Sequence, residues 1–364
     1  MSRIISTGVA VPEFAASQDQ ILEYMSQAYN DDTVSRKLRI LFHSSSINTR
    51  YSVVPDFSNH SQNNLFFGNG SPNVEMRMNL YKKNAAGLAM HAIENLFNKL
   101  NTDILSFGIT HLITVTCTGI YSPGLETELM ENLNLPDTIF HTSINFLGCN
   151  AAFPAQKIAD AFARSDSKAR VLVVCVELCT IHFQPKNNND NLLSNTIFSD
   201  GAAAALIVSD EIAQKHNVNG LGINNFYSDV LGDGKALMGW NVKPLNFEMI
   251  LNPELPSFIG KNLNQFIEEA TRKLDLIPLD SVIWAVHPGG RKILDQVRLH
   301  LDLEKDALED SYHVLKDYGN MSSSTILFIL NRIMEKNLKP GEKVLAIGFG
   351  PGISVDIAVY HYEP

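Results

Sequence analysis

Cysteine is scarce in this sequence, which holds only Cys117, Cys149, Cys175 and Cys179. They lack the dense spacing of a secreted disulfide framework and read as reduced thiols of a cytosolic protein. Cys175 and Cys179 have no second ligand pair, so the pattern does not support a zinc site and no metal is expected. Positive charge is also short, with 29 Lys and Arg against 39 Asp and Glu and a formal net charge of -10. A broad nucleic-acid surface needs a basic face, so no nucleic-acid partner is expected, and any anionic ligand must be met by a local basic cluster. No apolar run reaches membrane-spanning length. The N-terminus, Met-Ser-Arg-Ile-Ile-Ser-Thr-Gly-Val-Ala-Val-Pro, lacks the apolar core of a signal peptide. A soluble, cytoplasmic protein is expected.

What is present is an ordinary globular composition, 45% hydrophobic and 19% charged over 364 residues. That length exceeds one core and predicts two domains, or one α/β fold with two similar halves, here 1–214 and 215–364. A first strand runs from Arg3 to Val11, and Ser17-Gln18-Asp19-Gln20 has capping-box spacing before a helix. Lys37, Arg39 and Arg50 form a basic stretch, either an anion dock or a solvated face. Residues 56–73, with Leu65, Phe66 and Phe67 among Asn, Ser, Gly and Pro, read as a long loop before a helix over 76–100. Buried strands are expected at Leu112–Val115, Val171–Val176 and Ala202–Val208, and a surface loop at Asn187–Asn191. After a loop from about 215 to 256, helices and strands alternate again: helix 258–274, strand 282–286, a helix from Arg291, helix 321–334, and strands 343–347 and 354–360.

The stretch from Ser143 to Gln156 places Cys149 at a strand-to-helix turn. The first amides of a helix are unpaired and favour an anion, so a cysteine there tends to ionise readily and act as a nucleophile. The plainer reading is a small buried hydrophobe. His287 ends a strand in His287-Pro288-Gly289-Gly290, and Asn320 follows Gly319 in a turn. Singly, each fits a core histidine and an ordinary turn residue. Together, Cys, His and Asn suggest acyl transfer through a thioester: the thiolate attacks a thioester carbonyl, and the uncharged amide beside the imidazole stabilises the enolate left by a decarboxylation. Cys117, in the polar turn Thr116-Cys117-Thr118-Gly119, is equally pocket or core.

Five stretches then carry a resemblance: Gly148-Cys149-Asn150-Ala151, Phe198 to Ala203, Trp284 to Gly290, Tyr318 to Ser323, and Gly348-Phe349-Gly350-Pro351-Gly352. From about Ile4 to Tyr360 the chain resembles the type III polyketide synthases, the chalcone synthase superfamily of the thiolase fold. The resemblance implies a thiolase-like αβαβα layered fold, a homodimer, and a buried cavity reached by a tunnel for the arm of coenzyme A. It implies Cys149 as nucleophile, His287 and Asn320 as the decarboxylation and condensation pair, Phe198 and Phe247 as gatekeepers, and Lys37 on the coenzyme A phosphates. Where plant members carry further basic residues this chain has Ile40 and Ser44, leaving Arg39, Arg291 or Lys292 to take over.

Cys117 and Cys179 stand where plant members have cavity-lining threonines, and Ser122 replaces a bulkier residue near the dimer interface. Those small side chains favour a medium or long fatty acyl starter, as in bacterial relatives that resemble alkylpyrone and alkylresorcinol synthases, while His182 is bulkier than the threonine it replaces. The expected reaction uses acyl-CoA and malonyl-CoA as substrates and no cofactor. A carrier protein as acyl donor stays open. The alternatives are a single-condensation ketoacyl synthase III of the acyl-carrier-protein type and a non-catalytic thiolase-fold partner subunit. A papain-like hydrolase is disfavoured because its Cys-Gly-Ser-Cys-Trp signature is absent.

Overall fold

The structure is a computed structural model that describes residues 1–58, 65–66, 72–274 and 281–364. Most of the loop expected over 56–73, Phe67 included, lies outside those residues. The chain opens with β1 (Ser2–Ala10) and a ribbon of β2 (Phe14–Ser17) and β3 (Thr49–Ser52), which flank α1 (Gln18–Tyr29) and α2 (Asp32–Ser44). The Ser17–Gln20 capping box forms as its spacing predicts. The first half continues with α3 (Val74–Lys99), α4 (Ile104–Phe107), β4 (His111–Thr116), α5 (Leu125–Asn132) and β5 (Phe140–Asn145). It ends with α6 (Ala152–Ser165), β6 (Arg170–Leu178), α7 (Asn189–Ile197) and β7 (Asp200–Ser209). Then come α8 (Asp210–His216), β8 (Gly220–Val230), the hairpin β9 (Met238–Val242) and β10 (Phe247–Leu251), α9 (Leu255–Leu274) and β11 (Val282–Val286). The chain closes with α10 (Arg291–His300), α11 (Glu309–Tyr318), α12 (Thr325–Met334), β12 (Lys343–Gly350) and β13 (Ser354–Glu363).

Nine strands form one sheet in the order β11-β12-β13-β8-β1-β7-β6-β4-β5. The two halves of the sequence meet where β1 pairs with β8, from Ser2 opposite Ile223 to Ile4 opposite Leu221. Strand alternation then sorts the side chains into layers. In β7, Ala203, Ala205 and Ile207 join a core built on α6 and α12, whereas Ala202, Ala204, Leu206 and Val208 join one built on α3. Alanines at 151, 152, 155, 159 and 163 let α6 lie close to the sheet. Ile326 to Leu330 make α12 apolar on all sides, as a middle layer requires. Beyond it, Trp284, Val286, Leu345 and Ile347 pack with α9 and α10. The layers therefore run α3, the β1-β7-β6-β4-β5 part of the sheet, α6 with α12, the β11-β12-β13-β8 part, and α9 with α10, which is the expected αβαβα arrangement. Among the described residues no helix is long and apolar enough to cross a membrane.

Three expectations are corrected. The loop read over 215–256 contains β8, which pairs with β13 along its length, and the β9–β10 hairpin. Asn224, Asn225, Ser228 and Asp229 break the apolar alternation of β8, and its partners supply the order instead. The Asn-rich surface loop becomes the start of α7, because the Asn188 side chain accepts the Asn191 N–H and caps it. The helix expected from Met321 begins at Thr325, since Ser322 has φ of 49° and interrupts it.

Candidate active site

The cysteine turn is shaped by its neighbours on the chain. After β5, Phe146 (φ 60°) and Gly148 (φ 100°) reverse the backbone, and a Cβ at Gly148 would run into the Pro351 ring. The turn therefore lies against the Gly348–Gly352 stretch only because residue 148 is glycine. The Gly148 N–H donates to Cys117 Sγ at 3.0 Å, and the Asn150 amide donates to Ser354 at 3.0 Å and to Asp356 at 2.5 Å. Cys149 comes just ahead of α6 and is 7% exposed.

Burial pushes the Cys149 thiol up to about 12, the Ser322 hydroxyl hydrogen-bonded to it opposes this, and the Glu177 charge adds to it. Desolvation of the thiolate thus works against the acidity expected from the nearby amides. His287 follows β11 directly, is 1% exposed, and has no partner for either ring nitrogen. Its backbone is fixed by the N–H bond to Ile347 O at 2.8 Å, and burial pushes its pKa down to about 3.

Asn320 follows Gly319 (φ 72°), where any Cβ would crowd Arg50 and the Ile197 carbonyl. Its N–H donates to Ile197 O and its carbonyl accepts from Ser199 N–H, both at 2.9 Å, so it is tied to the residues flanking Phe198. The side-chain oxygen accepts Ser322 N–H at 2.9 Å, which leaves the NH2 as the end free to donate.

Cys149, His287 and Asn320 line one hollow together with Phe198, Met238 and Phe349. Through Cys149, Phe198, Met238 and Met249 it adjoins an inner cavity that Cys117, Cys179 and Phe247 also line. Through Leu251, Leu255, Gly289 and Ile293 it adjoins a hollow ringed by Lys37, Ile40, Arg291 and Lys292. Three spaces thus follow one another: a basic mouth, the Cys-His-Asn hollow, and an apolar cavity. Arg39 is exposed on α2 and lies outside the lining of the mouth. Arg50 of the basic stretch is buried, donating to Gln18, to Asn195 O and to Phe198 O, so it holds the Phe198 segment rather than facing solvent.

Sequence reasoning missed Glu177 and Ser322. Glu177 is fully buried and accepts from Cys117 N–H (2.9 Å), Thr118 OH (2.8 Å) and Ser323 OH (2.5 Å), joining the Cys117 turn to the Asn320 turn. Desolvation raises its pKa. The available signal was a lone carboxylate inside the apolar run Val171–Leu178.

Known proteins agree with this arrangement. Residues 1–211 match the family described as chalcone and stilbene synthases, N-terminal domain, and residues 226–362 match the C-terminal domain of the same family. The structure is similar to the C-terminal type III polyketide synthase domain of Steely1, a type I/III hybrid from Dictyostelium, at 24% identity and TM-score 0.90 over 99% of each chain. It is also similar to PKS-I from the brown alga Ectocarpus siliculosus, at 26% identity and TM-score 0.90, over 100% of this chain and 98% of that one. A fungal type III polyketide synthase, ORAS, superposes at 23% identity and TM-score 0.87 over the full length of both chains. With both family domains matched in order around a Cys-His-Asn hollow, the chain belongs to the chalcone and stilbene synthase family, the acyl-transferring type III polyketide synthases.

Proposed function

We propose that this enzyme loads a medium or long fatty acyl group from acyl-CoA onto Cys149, extends it with malonyl-CoA by decarboxylative Claisen condensation, and cyclises the product to a pyrone or resorcinol. The reading rests on one observation, that Cys149, His287 and Asn320 line a single hollow between a basic mouth and an apolar cavity. Lys37, Arg291 and Lys292 hold the coenzyme A phosphates at the mouth. His287 takes the thiol proton as sulfur attacks the starter thioester, and coenzyme A leaves. His287 and the Asn320 NH2 then receive the malonyl thioester oxygen while carbon dioxide departs, and the enolate attacks the acyl group on Cys149. The thioesters supply the activation, so no metal or redox cofactor is invoked.

Phe198 and Phe247 bound the passage to the inner cavity, and Cys117 and Cys179 lie in its wall. The fatty starter is supported by the apolar wall of that cavity, which Ile21, Met25, Val54 and Phe57 line together with Cys179. The enzyme acts in the cytoplasm as a homodimer of chains whose halves are 1–214 and 215–364. Strand β5 supports the dimer: it is the outermost strand of the sheet, with Phe140 exposed.

The test is incubation with malonyl-CoA and a ladder of acyl-CoA starters, read by mass spectrometry. Several extensions of a fatty starter and a pyrone or resorcinol ring are expected. A product of one condensation, formed only from a carrier-bound substrate, would overturn the reading. The Cys179→Phe variant is expected to shorten the accepted starter, and an unchanged preference would remove Cys179 from the path of the tail.

A further inference from the structure

Two buried histidines face this cavity system in opposite hydrogen-bond states. His287 has both ring nitrogens free, as a group that must meet substrate requires. His182 has both committed. It accepts the Phe247 N–H at Nδ1 over 3.1 Å, so Nε2 carries the proton and donates to the Thr118 carbonyl at 2.8 Å. The Phe247 ring lies flat on the imidazole, with centroids 4.4 Å apart and an interplanar angle of 15°. Phe146, from the cysteine turn, packs against Phe247 at 5.0 Å. His182 is 6% exposed, and burial pushes its pKa down to about 3, so this tautomer persists at neutral pH.

The hairpin that carries Phe247 needs such a fastening. The β9–β10 ribbon is separate from the nine-stranded sheet, yet Met238, Trp240, Phe247 and Met249 line the inner cavity. Other ties reach its neighbours: Trp240 Nε1–H donates to Cys117 O at 2.6 Å, and Arg77 donates to Leu245 O at 2.6 Å. The bond to Phe247 itself comes from His182.

We infer that His182 is a positioning residue for the inner gate, fastening the backbone and ring of Phe247 to the Thr118 turn and so limiting how far the chain on Cys149 is extended. The inference deepens the proposed reaction and rests on Phe247 bounding its cavity. The two bonds of the imidazole can be separated by near-isosteric changes. His182→Asn keeps an acceptor where Nδ1 stood and loses the donor. His182→Gln keeps a donor where Nε2 stood and loses the acceptor.

Hydrogen exchange at the Phe247 amide and the product distribution from one starter with malonyl-CoA form the two arms of the test. His182→Ala and His182→Gln are expected to speed Phe247 exchange by about tenfold, the loss of one buried hydrogen bond. Their products should shift to those carrying more malonyl units, with the rate of acyl loading on Cys149 kept within about twofold of wild type, less than one kcal/mol of barrier. His182→Asn, which keeps the acceptor for the Phe247 N–H, should leave Phe247 exchange near wild type. Equal behaviour of the Asn and Gln variants, or unchanged Phe247 exchange in the Ala variant, overturns the proposal. If the wild-type enzyme itself makes no extended product, the proposed reaction fails instead, and the exchange arm still decides the role of His182.

Discussion

Cys149 lies where the amides of α6 favour a thiolate, yet burial pushes its pKa up to about 12 while burial pushes His287 down to about 3. Both directions favour a resting thiol and neutral imidazole, and in the proposed reaction the proton moves as the thioester carbonyl arrives. Burial of the thiol leaves less thiolate at neutral pH than a free thiol holds. Iodoacetamide labelling of Cys149 should thus rise steadily from pH 7 to about 10. A rate already level at neutral pH would mean that a thiolate–imidazolium pair exists before substrate binds. The Asn320 side chain has its oxygen spent on Ser322 N–H, so only its NH2 can serve the reaction. Cys149→Ala is expected to abolish acyl loading. Asn320→Ala should slow malonyl decarboxylation by about 10²–10³-fold, as loss of an oxyanion donor does, with loading much less affected. If both variants lost loading alone, Asn320 would not be acting on the malonyl unit.

Turns rather than strands hold the residues of the candidate site, and they differ in how far sequence discloses them. The strands β6, β7 and β12 were legible because buried β-branched and alanine runs leave no other reading. The turns holding Cys149, His287 and Asn320 were legible because each joins glycine or proline to a reactive side chain at a strand end or helix start. β8 was not, since its order comes from β1 and β13 rather than from its own alternation. Glu177 and the fastening of Phe247 by His182 were hidden for the same reason: their partners lie 59, 65 and 146 residues away in sequence. Arg50 looked like a surface cation, although only the fold reveals that it is spent on backbone carbonyls. At this scale Gly148 is the most exacting position, with φ of 100° and Pro351 in the path of any Cβ. Gly148→Ala should cost about 2–4 kcal/mol in denaturant titration, combining backbone strain with a steric clash. A loss below about 0.5 kcal/mol, the usual range for an unconstrained surface site, would mean that the cysteine turn does not rest on Pro351.

The halves of the molecule share more than the seam between β1 and β8. α6 from the first and α12 from the second lie in one apolar layer, whose buried members run from Ile4 to Tyr360. The hollow is divided likewise, with Cys149 and Phe198 from one half and His287 and Asn320 from the other. Neither half can expose its side of that layer without uncovering the other, and each buried Leu, Ile or Phe so exposed costs about 1.5–3 kcal/mol. Two separate halves would otherwise be expected to melt as separate domains. Here the shared layer makes a single calorimetric transition the expected result, with calorimetric and van't Hoff enthalpies equal. Because the site straddles the same layer, activity should disappear within that transition. Two resolved endotherms, with Cys149 still acylated after the first, would show that the first half stands without the second.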